Sequence, residues 1–101
     1  MRTAKLIGRN LDWAVARCMG LKYPYDPVFR PSTNWAHGGP IFQHQRISIK
    51  ASSTGGWVAS CHPNGPDTVI TNHGSTPLIA AMRCYVASSL GADIDVPEEL
   101  Q

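Results

Sequence analysis

Hydrophobic and polar positions are most regular between residues 75 and 91, in STPLIAAMRCYVASSLG. Leu78, Met82, Tyr85, Val86 and Leu90 recur at helical spacing and form one apolar face, with Ile79 at its margin. Thr76 suits the N-cap, and Pro77 suits the first helical position, where its missing N–H costs nothing. Gly91 suits the left-handed residue that closes a helix. Arg83 is the one charge between those caps. So apolar a helix predicts the buried spine of the core. A second helical pattern runs from Leu11 to Met19, where Leu11, Val15 and Cys18 share a face and Gly20 follows as a stop. Asn10 or Gly8 is its candidate cap, and Trp13 reads as a packing aromatic.

Further along, alternation replaces helical spacing. In RISIKA (46–51), Ile47, Ile49 and Ala51 point one way and Arg46, Ser48 and Lys50 the other, as in a half-buried strand. SSTGG supplies a turn, WVASC a second strand whose Trp57 belongs to the core, and HPNGPD a turn centred on Asn64-Gly65. TVIT follows as a third strand. Connections this short predict an antiparallel meander. The tail, ADIDVPEELQ, sets Ile94 and Val96 against Asp93 and Asp95, which predicts a short fourth strand or a crossing of the domain edge.

Between the first helix and the strands the periodicity breaks. Pro24, Pro27 and Pro31 remove ladder donors, so this crossing is irregular, with Tyr23, Tyr25 and Phe29 placed for at most one edge strand. PSTNWAHGGP (31–40) is the least ordinary stretch. Ser32 or Thr33 is the expected cap of a helical turn starting near Asn34, Gly38-Gly39 the expected break, and Pro40 the expected start of a second short helix. Two adjacent helix starts, with small hydroxyls and free backbone N–H groups, would make an anion cradle. The plain alternative is that the glycines permit a tight corner and the hydroxyls merely cap.

The predicted fold class is α+β: a small α/β sandwich whose antiparallel sheet of three strands, or four, is packed by an N-terminal and a C-terminal helix. A chain of 101 residues with 43% hydrophobic and 16% charged residues fits one globular domain, 1–101. Two sheet edges left open predict a homo-oligomer. The chain has no apolar run of membrane-spanning length, and its N-terminus lacks a signal-peptide pattern, so the expected location is cytoplasmic. Three widely spaced cysteines fit buried thiols in a reducing compartment rather than a disulfide framework. Residues 1–50 hold eight Lys/Arg and two Asp/Glu, whereas residues 51–101 hold one and five. This asymmetry reads either as two halves that complement each other or as an anion-attracting surface on the first half.

LDWAVARCMG, PSTNWAHGGPI and STPLIAAMRCYVASSLG with its VPEEL tail resemble, in the same order, the small phage NinX-like proteins. More loosely they resemble the phage ABA sandwich domains. The resemblance implies a phage origin and a small α/β sandwich, and supplies neither an activity nor a site residue.

The candidate chemistry points to binding. Four histidines and three cysteines lack metal-ligand spacing, so no metal or other cofactor is expected. Cysteines in an apolar helix and a strand are poor nucleophiles, and no carboxylate pair occupies a defined element, so the chain reads as non-enzymatic. Ser32, Thr33, Asn34, Trp35, His37, Gly38 and Gly39 form a candidate ligand-binding cluster, with Trp35 as stacking face. Arg46 and Arg83 are the candidate anion partners, with Lys50 a lesser one. Arg83 has a structural alternative, a salt bridge to Asp12 or to a tail carboxylate. Long nucleic acid is disfavoured for want of a basic run or recognition helix. The expected function is therefore a phage accessory protein that sequesters a small nucleotide-like ligand, such as a bacterial immune signal. The alternative is an interaction module that docks on a host or phage protein.

Overall fold

The computed structural model describes residues 1–21 and 28–98. Tyr23 and Tyr25, and with them the expected edge strand, lie outside the described residues. Three helices, α1 (Gly8–Cys18), α2 (Trp35–His44) and α3 (Pro77–Leu90), accompany three strands, β1 (Ser48–Ala51), β2 (Trp57–Cys61) and β3 (Ile70–Gly74). The strands form one antiparallel meander in the order β1-β2-β3, so the predicted α+β class holds.

The C-terminal helix begins as its caps predict. Thr76 Oγ1 accepts the Ile79 amide at 3.1 Å, and Pro77 occupies the first turn. Its burial goes beyond a single stripe: Leu78, Ile79, Ala80, Ala81, Met82, Cys84, Tyr85 and Val86 are all buried. The reason is position. One side of α3 lies on β2 and β3, and α1 and α2 pack against α3 itself. A helix enclosed on several sides has to be apolar nearly all round, as this one is.

Alternation along the strands follows this layering. Ala59, Cys61 and Asn72 are buried, and Ile49, Trp57 and Ile70 pack partly buried against the core. Ser48, Lys50, Thr71 and His73 lie on the opposite, exposed face. Gly74 ends β3 where α3 passes closest, and a Cβ there would sit 2.5 Å from the Ala80 amide nitrogen. The third strand starts later than TVIT suggests, because Thr68 belongs to the preceding turn. Its amide donates to Gly65 O at 3.3 Å, and its carbonyl faces His62 Nδ1 at 3.0 Å.

Two further expectations change. Among the described residues the tail adds no fourth strand to the sheet, which leaves the other alternative, a crossing of the domain edge. It pairs with the N-terminus in an antiparallel bridge, Arg2 with Asp93, where Thr3 N donates to Ala92 O at 2.8 Å and Ile94 N to Met1 O at 2.9 Å. Residues 35–44 form a single helix, with no break at Gly38-Gly39 and with Pro40 inside it. The cap is Asn34, whose Oδ1 accepts the Ala36 amide at 2.9 Å, rather than Ser32 or Thr33. Gly38 stays helical because α2 touches its neighbours there: a Cβ would collide with the Pro31 carbonyl and lie 2.6 Å from Leu78 Cδ1. No helix among the described residues is long and apolar enough to cross a membrane.

Candidate functional site

The residues that open α2 and α3 meet at one hollow. Ser32, Thr33, Trp35, Thr76, Leu78 and Ile79 line a half-open space of about 200 Å³. Each arrives for a local reason. The turn at Arg30–Asn34, closed by Asn34 N donating to Arg30 O at 2.8 Å, carries Ser32 and Thr33 to the head of α2. Trp35 is the first residue of that helix, 53% exposed, and its indole stands edge-on to Phe42 with ring centroids 6.5 Å apart. Two turns of helix separate the pair, which puts both rings on one side of α2. Thr76, Leu78 and Ile79 come from the cap and first turn of α3.

The hollow lies at the positive ends of two helices. Internal caps use part of their donor set: Ala36 and Ile79 donate to side-chain oxygens, and His37 and Gly38 donate to Asn34 O. The backbone N–H groups of Trp35 and Leu78 stand outside those caps. Apart from its hydroxyls the lining is apolar, and none of the lining residues carries a charge.

Behind the hollow the turn is pinned to α1 by a buried carboxylate. Asp12, 7% exposed, accepts the Ser32 amide on Oδ1 at 2.8 Å. Burial raises the Asp12 pKa above the ordinary carboxylate value, while its contacts with Ser32 and the charge of Arg30 pull the other way. Ser32 Oγ is buried without a hydrogen-bond partner. His37 faces the same turn: its Nδ1 accepts the Arg30 amide at 2.9 Å, so the ring proton sits on Nε2, and the ring lies against Phe29.

The predicted site residues therefore divide. Ser32, Thr33 and Trp35 line the hollow. Asn34 is occupied as the α2 cap and His37 as the acceptor for Arg30. Gly38 is a packing point against α3, and Gly39 lies under the Trp35 indole, where a Cβ would be 3.9 Å from Cε3. Arg46 sits past the end of α2 in the left-handed conformation, φ +54°. Arg83 is held elsewhere. Its Nε donates to Leu6 O at 2.7 Å and its Nη1 to His73 O at 2.8 Å, so main-chain carbonyls hold the side chain expected to meet an anionic ligand or, in the structural alternative, an acidic neighbour. Sequence reasoning placed Thr76 as a cap and Leu78 in the core, and gave neither a part in the site. Their position beside Trp35 is a tertiary relationship, and no local pattern in the sequence signals it.

Among the described residues no group of three or more His, Cys, Asp or Glu side chains is placed to hold a metal ion. No curated protein matches the chain. A family model described as "Bacteriophage P22, NinX" matches residues 21–89, a span that takes in α2, the whole sheet and nearly all of α3. The chain accordingly belongs to the phage P22 NinX family.

Proposed function

We propose that this phage accessory protein binds, without catalysis, a small ligand that joins a ring to an anionic group, as a nucleotide does. The observation that carries the reading is the meeting of two helix starts at a hollow with an exposed indole on its rim. The ring of the ligand would stack on Trp35. The anionic group would take the Thr33 and Thr76 hydroxyls and the free first-turn amides, in the field of both helix ends. A volume of about 200 Å³ suits one ring or one phosphate-sized group, not a whole dinucleotide, so the rest of a larger ligand would lie outside. Arg83 has no part in this arrangement.

Calorimetry and thermal shift against cyclic mono- and dinucleotides and ADP-ribose derivatives test the reading. Binding by at least one of them is expected, weakened about 10- to 100-fold by Trp35→Ala, since stacking a base is worth roughly 1–3 kcal/mol. A flat response from the folded protein across the panel would remove it. Light scattering with and without ligand measures whether the expected homo-oligomer forms.

A second reading, docking on a host or phage protein, draws support from the same exposure of Trp35 and the apolar lining beside it. It predicts a partner captured from infected-cell lysate by the native protein and lost with Trp35→Ala, with no response to the nucleotide panel.

A further inference from the structure

Cys61 and Cys84 lie 23 residues apart in sequence, and their sulfurs are 3.3 Å apart in the core. Cys61 is the last residue of β2, and Cys84 lies in the middle of α3. The contact bridges the sheet and the helix that covers it. Cys84 Sγ also lies 3.3 Å from Ile70 O, and Ile70 is the residue that pairs with Cys61 across β2 and β3. The pair therefore has a fixed setting: two sulfurs side by side, with the backbone of β3 accepting from one of them.

We propose that Cys61 and Cys84 are a modification site, closing to a reversible internal disulfide when the protein meets a peroxide. A disulfide bond measures about 2.05 Å, so the sulfurs need approach by little more than an ångström. The third cysteine, Cys18 at the end of α1, is partly buried against Ser89 and Tyr85 of α3 and is no part of the sulfur–sulfur contact.

The reaction begins at Cys61, which retains 4% exposure where Cys84 has none. The Cys61 thiol gives up its proton and its sulfur attacks one peroxide oxygen; the O–O bond breaks, a sulfenic acid forms, and the other oxygen leaves as hydroxide, which takes up that proton as water. Cys84 sulfur then attacks the sulfenic sulfur. The S–S bond forms, the S–O bond breaks, and hydroxide leaves with the Cys84 proton as a second water. Two thiols are oxidised and one peroxide is reduced. Burial and the neighbouring Cys61 push the Cys84 thiol well above its ordinary pKa, so little thiolate is present at neutral pH. The closure is accordingly slow, and proximity rather than acidity selects the pair.

The consequence is a covalent tie between the central helix and the sheet. The loop it closes spans residues 61–84, long enough for a constraint on the unfolded chain to register strongly. The folded protein should be treated with hydrogen peroxide, then unfolded, and its free thiols counted with a maleimide. The expected result is a fall from three thiols to one and a mass lower by about 2 Da. Peptide mapping should join Cys61 to Cys84, a thiol reductant should reverse the change, and Tm should rise by about 10 °C. Cys18→Ser should go from two thiols to none, and Cys61→Ser should keep both of its thiols. Three thiols retained after long exposure of the folded protein would overturn the proposal. So would a link that involves Cys18, a link between two molecules, or oxygen addition without loss of a thiol pair. Because mapping uses the native chain, the proposal stays testable even where a serine variant fails to fold.

Discussion

The Arg83 guanidinium bonds the Leu6 carbonyl at 2.7 Å through Nε, and through Nη1 it reaches His73 O at 2.8 Å on β3. One side chain on the central helix thus ties the segment before α1 to the sheet. Burial lowers the Arg83 pKa, yet a guanidinium remains charged at any ordinary pH. Charged hydrogen bonds of this kind contribute about 1.5–3 kcal/mol each, and cutting them leaves carbonyls that must find water. Arg83→Ala is expected to cost about 2–4 kcal/mol in denaturant unfolding. Arg83→Lys should lose less, because a single ammonium retains one of the two carbonyls. If Arg83→Ala unfolds at the wild-type midpoint, the strut carries no stability.

Asp12 gives the fold a pH dependence with a definite sign. Burial, the larger cause, raises its folded-state pKa above the unfolded value, so the folded chain holds this proton more tightly than the unfolded chain does. Through this group stability is lowered when both states are ionised, and the penalty is relieved as pH falls through the raised pKa towards 3.8, the ordinary value. Asp12→Asn keeps an oxygen to accept the Ser32 amide and removes the charge. Its stability relative to wild type should increase as pH rises from about 4 and level off above the folded-state pKa of Asp12. Urea unfolding of both proteins from pH 4 to 7 measures the difference. A constant gap across that range would show that the carboxylate is not strained by burial.

What the sequence made legible and what it hid both follow from the range of the physics involved. Thr76, Pro77 and Gly91 act within a turn of helix, and β2 is bounded by the SSTGG and HPNGPD turn sequences, so local patterning finds them. Gly38 and Gly39 look like a break to any local rule, because glycine and proline are poor helix formers. They continue the helix, and at Gly38 the Pro31 carbonyl and Leu78 leave no room for a Cβ, which only the assembled fold reveals. The candidate site shows the same division. Ser32, Thr33 and Trp35 come from one unusual stretch and were visible, whereas Thr76 and Leu78 join them from more than forty residues away. Arg83 stood out as a lone cation on an apolar helix, and the carbonyls that hold it leave no mark in the sequence.

The ends of α1 and α2 make a natural comparison. Each closes with a paired set of bonds around a left-handed residue. In α1, Leu21 N donates to Ala16 O and Gly20 N to Arg17 O, both at 3.0 Å, with Gly20 at φ +79°. In α2, Ile47 N donates to Phe42 O at 3.1 Å and Arg46 N to Gln43 O at 3.2 Å, with Arg46 at φ +54°. This is the same Schellman closure, once with the residue that suits it and once with one that carries a Cβ penalty. Arg46→Gly is expected to raise stability by about 0.5–1 kcal/mol, after allowance for the greater freedom of glycine in the unfolded chain. Gly20→Ala should lower it by about as much. Since Arg46 does not line the hollow, ligand uptake by the glycine variant should match wild type. A destabilised Arg46→Gly would mean that the arginine side chain makes up for its backbone.

Gly38 and Gly39 are neighbours in one helix, yet alanine should act on them in opposite directions. Helix propensity alone favours both substitutions by about 1 kcal/mol. At Gly38 the new methyl group would run into the Pro31 carbonyl and lie 2.6 Å from Leu78 Cδ1. Leu78 could rotate, but a backbone oxygen in a turn pinned by Asp12 cannot move without dragging the turn. Overpacking of that kind costs about 1–3 kcal/mol or more and exceeds the propensity gain, so Gly38→Ala should destabilise by about 1–2 kcal/mol net. It should also disturb the hollow, because the displaced turn carries Ser32 and Thr33. At Gly39 the nearest neighbour is Trp35 Cε3 at 3.9 Å, ordinary contact distance, so Gly39→Ala should gain most of the propensity term and brace the indole from below. Thermal melts of the two variants decide the matter. Two shifts of the same sign would mean that α2 does not press on α3 at Gly38, and the hollow between their first turns would lose its fixed wall.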